Sequence, residues 1–395
     1  MSLIDPNAGR PARQNQWSIG IQREFFRNLA AEVSYVGNRG AWWQGNSLLN
    51  YNALTPQILS AVGLDINNAA DRTLLTSTIG SATAAARGFN KLPYPGFPTN
   101  QTVAQALRPF PQFTTVSANG APLGKTWYDS LQAKVTKRYS YGLDFSYAFT
   151  WQKELQMGAE NDSVSGPGVG AVVNDVFNRG INKYLSGQSR PLVSVLSLNY
   201  KTPKLAKLAS NRLLGYVASD WQMGTVMQYA SGLPILAPIS NNALNSSLFR
   251  TTYANRVPGQ PLYTVDLNCH CFDPNTTFAL NKAAWTDPPQ GQFGTSAAYY
   301  NDYRQPRRPG ENLNLGRTFR LVERVTLEIR GEFSNILNRA YFAAPASTNA
   351  SATQTVNKLG QTTAGFGYIN VQTPLAATFA APGPRSGSVV ARFRF

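Results

Sequence analysis

Eight stretches of this chain alternate, residue by residue, between apolar and polar side chains, and a ninth is mostly apolar. In the clearest, Leu143, Phe145, Tyr147, Phe149 and Trp151 alternate with Asp144, Ser146, Ala148, Thr150 and Gln152. A period of two sends successive side chains to opposite faces of an extended strand, so each stretch reads as a strand with one apolar and one polar face. The same pattern places Trp17, Ile19 and Ile21 on one face, followed by Leu29, Ala31, Val33 and Tyr35, and then Leu131, Ala133 and Val135. It recurs at Trp221, Met223, Met227 and Tyr229, and at Leu313, Leu315 and Phe319. The last two stretches carry Val325, Leu327, Ile329 and Phe333, then Val389, Ala391, Phe393 and Phe395. Residues 191–200 form an apolar strand with a blurred pattern.

The connections narrow the fold further. Glu24–Asn28, Tyr139–Tyr141 and Arg320–Arg324 are short, and 201–216 belongs with them by position. The alternate connections, 38–127, 153–189, 232–310 and 336–386, are long. A globular domain rarely tolerates structureless connections of this size. Strands of about ten residues, with short turns at one end and long loops at the other, are the pattern of a transmembrane β-barrel. The fold class expected is therefore all-β: an antiparallel, up-and-down barrel wall with long extracellular loops. Ala69–Ala86, rich in alanine and leucine, has the composition of a loop helix.

Composition agrees. Only 14% of the 395 residues are charged, and Gly (32) and Pro (25) are frequent, which suits a β protein with long turn-rich loops. No stretch approaches the ~18 apolar residues of a membrane-spanning helix. Met1–Pro6 has neither the basic nor the apolar region of a signal peptide, so the chain is either soluble or a piece of a longer exported protein. The net charge of +16 raises nucleic acid as a partner, but no Lys/Arg run of five or more occurs. A basic surface facing an anionic neighbour is the reading preferred.

Few motifs suggest chemistry. Cys269 and Cys271 flank the single histidine, His270, and thiolate and imidazole are soft metal ligands. A structural zinc site needs four ligands at wider spacing, so a loop-tightening disulfide or two unpaired thiols is preferred. Gly166–Gly170 lacks the lysine and the strand-to-helix setting of a phosphate-binding loop. No nucleophile–base pattern or carboxylate pair stands out, so neither enzymatic activity nor a cofactor is expected. The first long loop is aromatic, with Trp42, Trp43 and Tyr51, then Tyr94, Phe97 and Phe110. Trp42, Trp43 and Tyr51 are the candidate ligand contacts, since aromatic faces stack on sugars and peptides; self-packing over the barrel mouth is the alternative. Trp17, Tyr35, Trp151, Tyr200, Trp221, Phe319 and Phe333, near strand ends, suit interfacial girdles.

Several segments carry a family resemblance. The chain ends Val-Val-Ala-Arg-Phe-Arg-Phe, with Phe393 and Phe395 in its alternating row, and this resembles the terminal assembly signal of outer-membrane barrels. Arg330–Asn338 (RGEFSNILN) looks like the penultimate strand of TonB-dependent receptors, where an aromatic–Asn–x–x–Asn ending leads into the last extracellular loop. Residues 5–42 and Asn281–Gly294 (NKAAWTDPPQGQFG) resemble Oar-like members of that group. The resemblance implies that residues 1–395 are the C-terminal portion of a barrel of about 22 strands. Signal peptide, plug and N-terminal strands would lie outside this sequence. It also implies uptake of a scarce nutrient (siderophore, oligosaccharide or peptide) across the bacterial outer membrane. The implied partners are the TonB complex, the barrel-assembly machinery, and outer-membrane lipid with lipopolysaccharide. A non-transporting surface adhesion or matrix-organising barrel, and a secreted glycan-binding β-sandwich, are the alternatives.

Geometric expectations follow. The nine strands should pair with their sequence neighbours, and the first and last, Asn15–Glu24 and Ser386–Phe395, should be edges. Val325, Leu327, Ile329 and Phe333 should share the lipid side with Val389, Ala391, Phe393 and Phe395. Thr326, Glu328, Arg330, Glu332, Arg392 and Arg394 should then face the lumen, with Arg392 near Glu328.

Overall fold

A computed structural model describes residues 1–158, 173–203, 219–242, 252–269, 271–322, 325–340, 342–371 and 383–395. Gly166–Gly170, His270 and most of the 201–216 connection lie outside the described residues.

Among the described residues, nine long strands form one antiparallel sheet. They are β1 (Arg13–Phe26), β2 (Leu29–Trp43), β3 (Gly124–Ser140), β4 (Leu143–Met157), β5 (Leu192–Lys201), β6 (Trp221–Ala230), β7 (Arg308–Val322), β8 (Val325–Ser334) and β9 (Ser386–Arg394). Each pairs with its neighbours in sequence, from β1 at one edge to β9 at the other. Up-and-down order puts the connections 44–123, 158–191, 231–307 and 335–385 at the same end, as the alternation of long and short connections requires. No pairing joins β1 to β9, so the sheet is open among the described residues.

The short turns are as tight as a hairpin allows. Phe26 pairs with Leu29, Ser140 with Leu143 and Val322 with Val325, leaving two residues at each turn. Tyr141 and Gly142 both have positive φ, 52° and 82°. That is the mirror-image turn whose twist matches the strands it joins. A side chain at 142 would also meet the Lys201 carbonyl at 2.3 Å, which reserves the position for glycine.

Two boundaries differ from the sequence reading. β1 to β4 run to 14, 15, 17 and 15 residues, and β7 to 15, well beyond ten. The extra length lies mostly at the loop end, in segments such as Lys125–Asp129 and Gln152–Gln156, where the apolar row fades but backbone pairing continues. Second, Ala69–Ala86 is two helices instead of one, with Ser77, Gly80 and Ser81 marking the break.

Register shows how the faces are built, since directly paired residues share a face. One row runs Ile19–Tyr35–Leu131–Trp151–Leu192 across β1 to β5. On β8 and β9, Leu327 pairs with Phe393 and Ile329 with Ala391. This face is open: Ile21 is 78% exposed, Ile19 73% and Trp151 59%. Its charged residues stand only toward the strand ends, with Arg23, Lys137 and Arg317 at the turn end and Arg13, Arg39, Lys125, Asp129, Lys153 and Glu311 at the loop end. The opposite face carries Glu32 paired with Lys134, Asp144 with Asn199, and Glu328 with Arg392. The expected facing of the last hairpin holds. One detail differs: the cross-strand ion pair on Glu328 is made by Arg394, at 3.3 Å, one diagonal step from the directly opposed Arg392, and Arg330 of the same strand stands 3.8 Å from Glu328. A long arginine reaches a diagonal neighbour across a strand pair as readily as a direct one. Arg330 meanwhile bridges to Glu332 at 2.6 Å.

The buried apolar core lies almost wholly in the loops. Loop 44–123 folds four short helices, α1 (Pro56–Ala61), α2 (Ala69–Thr76), α3 (Ala82–Ala86) and α4 (Val103–Ala106), over Leu54, Leu59, Leu74, Leu75, Ile79 and Phe97. Thr55, Asn68, Ser81 and Thr102 cap them, each side chain accepting from a backbone N–H of the first turn. Buried Asp71 accepts from the Asp65 N–H at 2.8 Å and pairs with Arg87 at 2.7 Å. Those contacts, the Asp65 hydrogen bond foremost, hold its carboxyl below the usual range.

Candidate functional site

The other three long loops share a second core. Tyr184 and Leu185 come from loop 158–191, Phe366 from loop 335–385, and Ile235, Tyr253, Leu280, Trp285, Tyr299 and Tyr303 from loop 231–307. Trp285 and Tyr303 pack with ring centroids 5.3 Å apart. Polar staples fix the assembly. Asn174 is buried, donates to the carbonyls of Gly294 and Ser296, and accepts from the Thr252 hydroxyl at 2.6 Å. Arg304 donates to the carbonyls of Ser189 (2.6 Å) and Gly232 (3.0 Å), tying strand ends to the cap. The Tyr263 hydroxyl donates to the Arg304 carbonyl and accepts from the Arg304 N–H; burial pushes its phenol up to about 12.

The segment Asn281–Gly294 now has a physical explanation. Asn281 caps a short turn through the Ala283 N–H and donates to the Pro261 carbonyl. Trp285 fills the loop core, and glycines stand where backbones approach. A Cβ at Gly294 would lie 1.8 Å from the Tyr253 carbonyl oxygen, and one at Gly291 would lie 2.2 Å from that of Ile66. The second contact joins loop 231–307 to loop 44–123, so all four long loops form one cap.

The ending of β8 works as a clasp. Asn335 is buried with φ of 49°, a left-handed conformation that asparagine tolerates better than most residues. Its amide donates to the carbonyls of Arg339 and Gly383, both at 3.0 Å, and its side-chain oxygen accepts from the Arg339 N–H at 2.9 Å. Arg339 is thereby turned onto Glu311 of β7, which it meets at 2.8 Å. Glu311 is wholly buried and also accepts from the Tyr229 hydroxyl at 3.1 Å. Asn338, the second asparagine of the motif, accepts from the Arg385 N–H at 3.3 Å, close to the start of β9.

The aromatic residues singled out in the first loop do not gather in one pocket. Trp42 stacks under Arg10 and Arg13, whose guanidinium carbons lie 3.6 and 4.8 Å from the ring centroid. Tyr51 donates to Asp5 at 2.8 Å; the Asn7 N–H and this hydroxyl hold the Asp5 carboxyl below its usual range. Trp43 packs over Gly40, where a Cβ would meet its indole nitrogen at 2.2 Å. Trp42 and Tyr51 thus hold down the N-terminal segment, whose Ser2–Ile4 pairs in parallel with Ser117–Asn119. Phe97 is core and Tyr94 lies edge-on to it at 5.4 Å, while Phe110 remains exposed. Cys269 and Cys271 are joined in a disulfide, with Cα atoms 5.2 Å apart.

A model of the outer membrane β-barrel domain family matches residues 1–376. The chain belongs to that family. A search of curated proteins finds no significant match.

As an outer-membrane barrel wall, the sheet explains its own faces. The apolar face is the lipid face, which is why it stays uncovered by protein, and the charged face lines the lumen. Trp17, Tyr35, Trp151 and Phe333 form a belt toward the loop end, and Tyr200, Trp221 and Phe319 toward the turn end, all on the lipid face. The long loops are then extracellular and the tight turns periplasmic. Phe395 lies beyond the end of β9 at the turn end and is 98% exposed; β9 itself lies beyond the matched span. Sequence reasoning missed Glu311 and Arg339, because the two are 28 residues apart and only the clasp joins them. It also missed Lys183, whose ammonium stands 4.3 Å over the Trp127 ring. The one signal available was Lys153, the first charge after the aromatic row of β4.

Proposed function

We propose that this barrel wall belongs to a TonB-dependent transporter of the Oar-like type, which takes up a scarce nutrient captured by the extracellular loops. The observation that carries the reading is the loop cap: four long loops packed on two cores, one of them shared by three loops, held at one end of a wall whose lumen side is charged. An ordered cap presents a fixed, polar and aromatic surface to a ligand, and folded loops lose less entropy on binding than mobile ones. The lumen face, with Glu32, Lys134, Asp144 and Glu328, suits a hydrated passage or the contact surface of a plug. In this reading further strands of the same receptor close the barrel between β1 and β9. Trp42, Trp43 and Tyr51 then serve the ligand through the shape of the first loop.

The test is uptake by cells. Accumulation of ferric siderophores, oligosaccharides and peptides is compared between a strain carrying the intact gene and one lacking it. One class should fall in the deletion strain, and dissipating the proton-motive force in the parent should abolish the same uptake. Unchanged accumulation of all three classes, with loss of surface attachment instead, would replace transport by an adhesive role.

A further inference from the structure

At the loop end of β3 and β4, on the lipid side, lies a cleft of about 620 Å³. Its floor continues the apolar face: Leu131 and Trp151 line it, 41% and 59% exposed. Tyr184 and Tyr299 of the loop cap, with ring centroids 6.0 Å apart, close its outer side. Lys153 and Lys183 stand along its rim. Among the described residues the one carboxylate lining it is Asp129, already engaged by Arg39 at 3.0 Å and by the Tyr35 hydroxyl at 2.6 Å. Three cations therefore share one carboxylate, and neither lysine makes an ion pair within 4.0 Å among the described residues.

Height decides what meets this cleft. Lys153 follows Leu143 by ten residues on β4. Steps of ~3.3 Å along a strand tilted roughly 40° raise it about 25 Å, the height of the apolar band of such barrels. The lysines therefore sit where hydrocarbon gives way to head groups, and Leu131 and Trp151 lie just inside the hydrocarbon. A molecule that fits must be acylated below and anionic above. We infer that the cleft is a binding site for the phosphorylated, acylated glycolipid of the outer leaflet, lipopolysaccharide, with acyl chain against Leu131 and Trp151 and phosphate between Lys153 and Lys183. The chain's net charge of +16 accords with such an anionic neighbour. The inference rests on the barrel's place in the outer membrane and is independent of the transport reading.

The purified protein in detergent micelles is titrated with lipopolysaccharide, with its dephosphorylated form and with phosphatidylglycerol. Intact lipopolysaccharide should bind tightest. Lys153→Gln with Lys183→Gln should weaken it roughly tenfold or more, as expected for two interfacial lysines. Lys183→Gln alone should give part of that loss, which keeps the test open should the double variant fold poorly. Lys134→Gln removes the same charge from the lumen face and should change nothing. The dephosphorylated form should bind wild type and double variant alike. Equal affinity of the lysine variants for intact lipopolysaccharide would overturn the site, as would equally tight binding of phosphatidylglycerol or of the dephosphorylated form.

Discussion

Phe149→Arg should block stable insertion of this barrel, while Thr150→Arg, one residue along, should not. Phe149 belongs to the uncharged middle of the lipid face, paired with Ala133 on one side and Ser194 on the other. An arginine at the bilayer midplane of a barrel costs ~2–4 kcal/mol. Loss of the aromatic ring from a packed face adds to that. Thr150 points to the lumen, paired with Gln132 and Val193, where an arginine stays hydrated. Urea titration of folding into lipid vesicles reads both. Equal losses at the two positions would show that the two faces of β4 do not see different solvents.

The second large effect is expected at Asn335. Asn335→Ala removes three hydrogen bonds from a buried side chain and leaves the carbonyls of Arg339 and Gly383 without that donor. Each buried group left unsatisfied costs about 1–3 kcal/mol. Alanine at φ of 49° adds about 1–2 kcal/mol. The consequence reaches further, because Arg339 is the guanidinium on buried Glu311, and a buried carboxylate that loses its partner is strongly destabilising. Loop 335–385 should become sensitive to limited proteolysis while the β7–β8 hairpin survives. Asn335→Gly separates the two causes: it removes the backbone strain and keeps the hydrogen-bond loss, so it should be only slightly milder. A Gly variant as resistant as wild type would reduce the clasp to a backbone preference.

Which parts of this protein were legible in its sequence follows from the range of the forces involved. Facing was legible because period two is a property of single strands: the row Leu143 to Trp151 needs no partner to be recognised. Pairing order was legible because short turns such as Tyr141–Gly142 leave a strand no neighbour but the next. Register on the last hairpin followed from the same rule, and placed Glu328 opposite Arg392. The choice of Arg394 for the ion pair did not follow, since two arginines on one face reach the same carboxylate. Strand length was underestimated where Lys125 to Asp129 pair through backbone and polar side-chain contacts, with no alternating apolar row. The loop cap was opaque for a different reason. Asn174 meets Thr252 across 78 residues, and Ile66 meets Gly291 across a longer gap. Such contacts leave no local periodicity; only the glycines and asparagines they demand appear in the sequence, as in NKAAWTDPPQGQFG and NILN. The rim cleft combined both cases: Lys153 was visible at the end of an aromatic row, and Lys183 reaches Trp127 only through the folded loop.

The central claim is that this sheet stands in a membrane with its aromatic row outward. Spin labels placed singly at each position from 143 to 153 of β4, in outer-membrane vesicles, test it most directly. The accessibility of each label is measured to oxygen, which concentrates in lipid, and to a water-soluble nickel chelate. Period-two oscillation is predicted, with 143, 145, 147, 149 and 151 open to oxygen, the even positions open to the chelate, and lipid character fading at Lys153. Oscillation in the opposite phase, or uniform access of the chelate along the strand, would contradict the account.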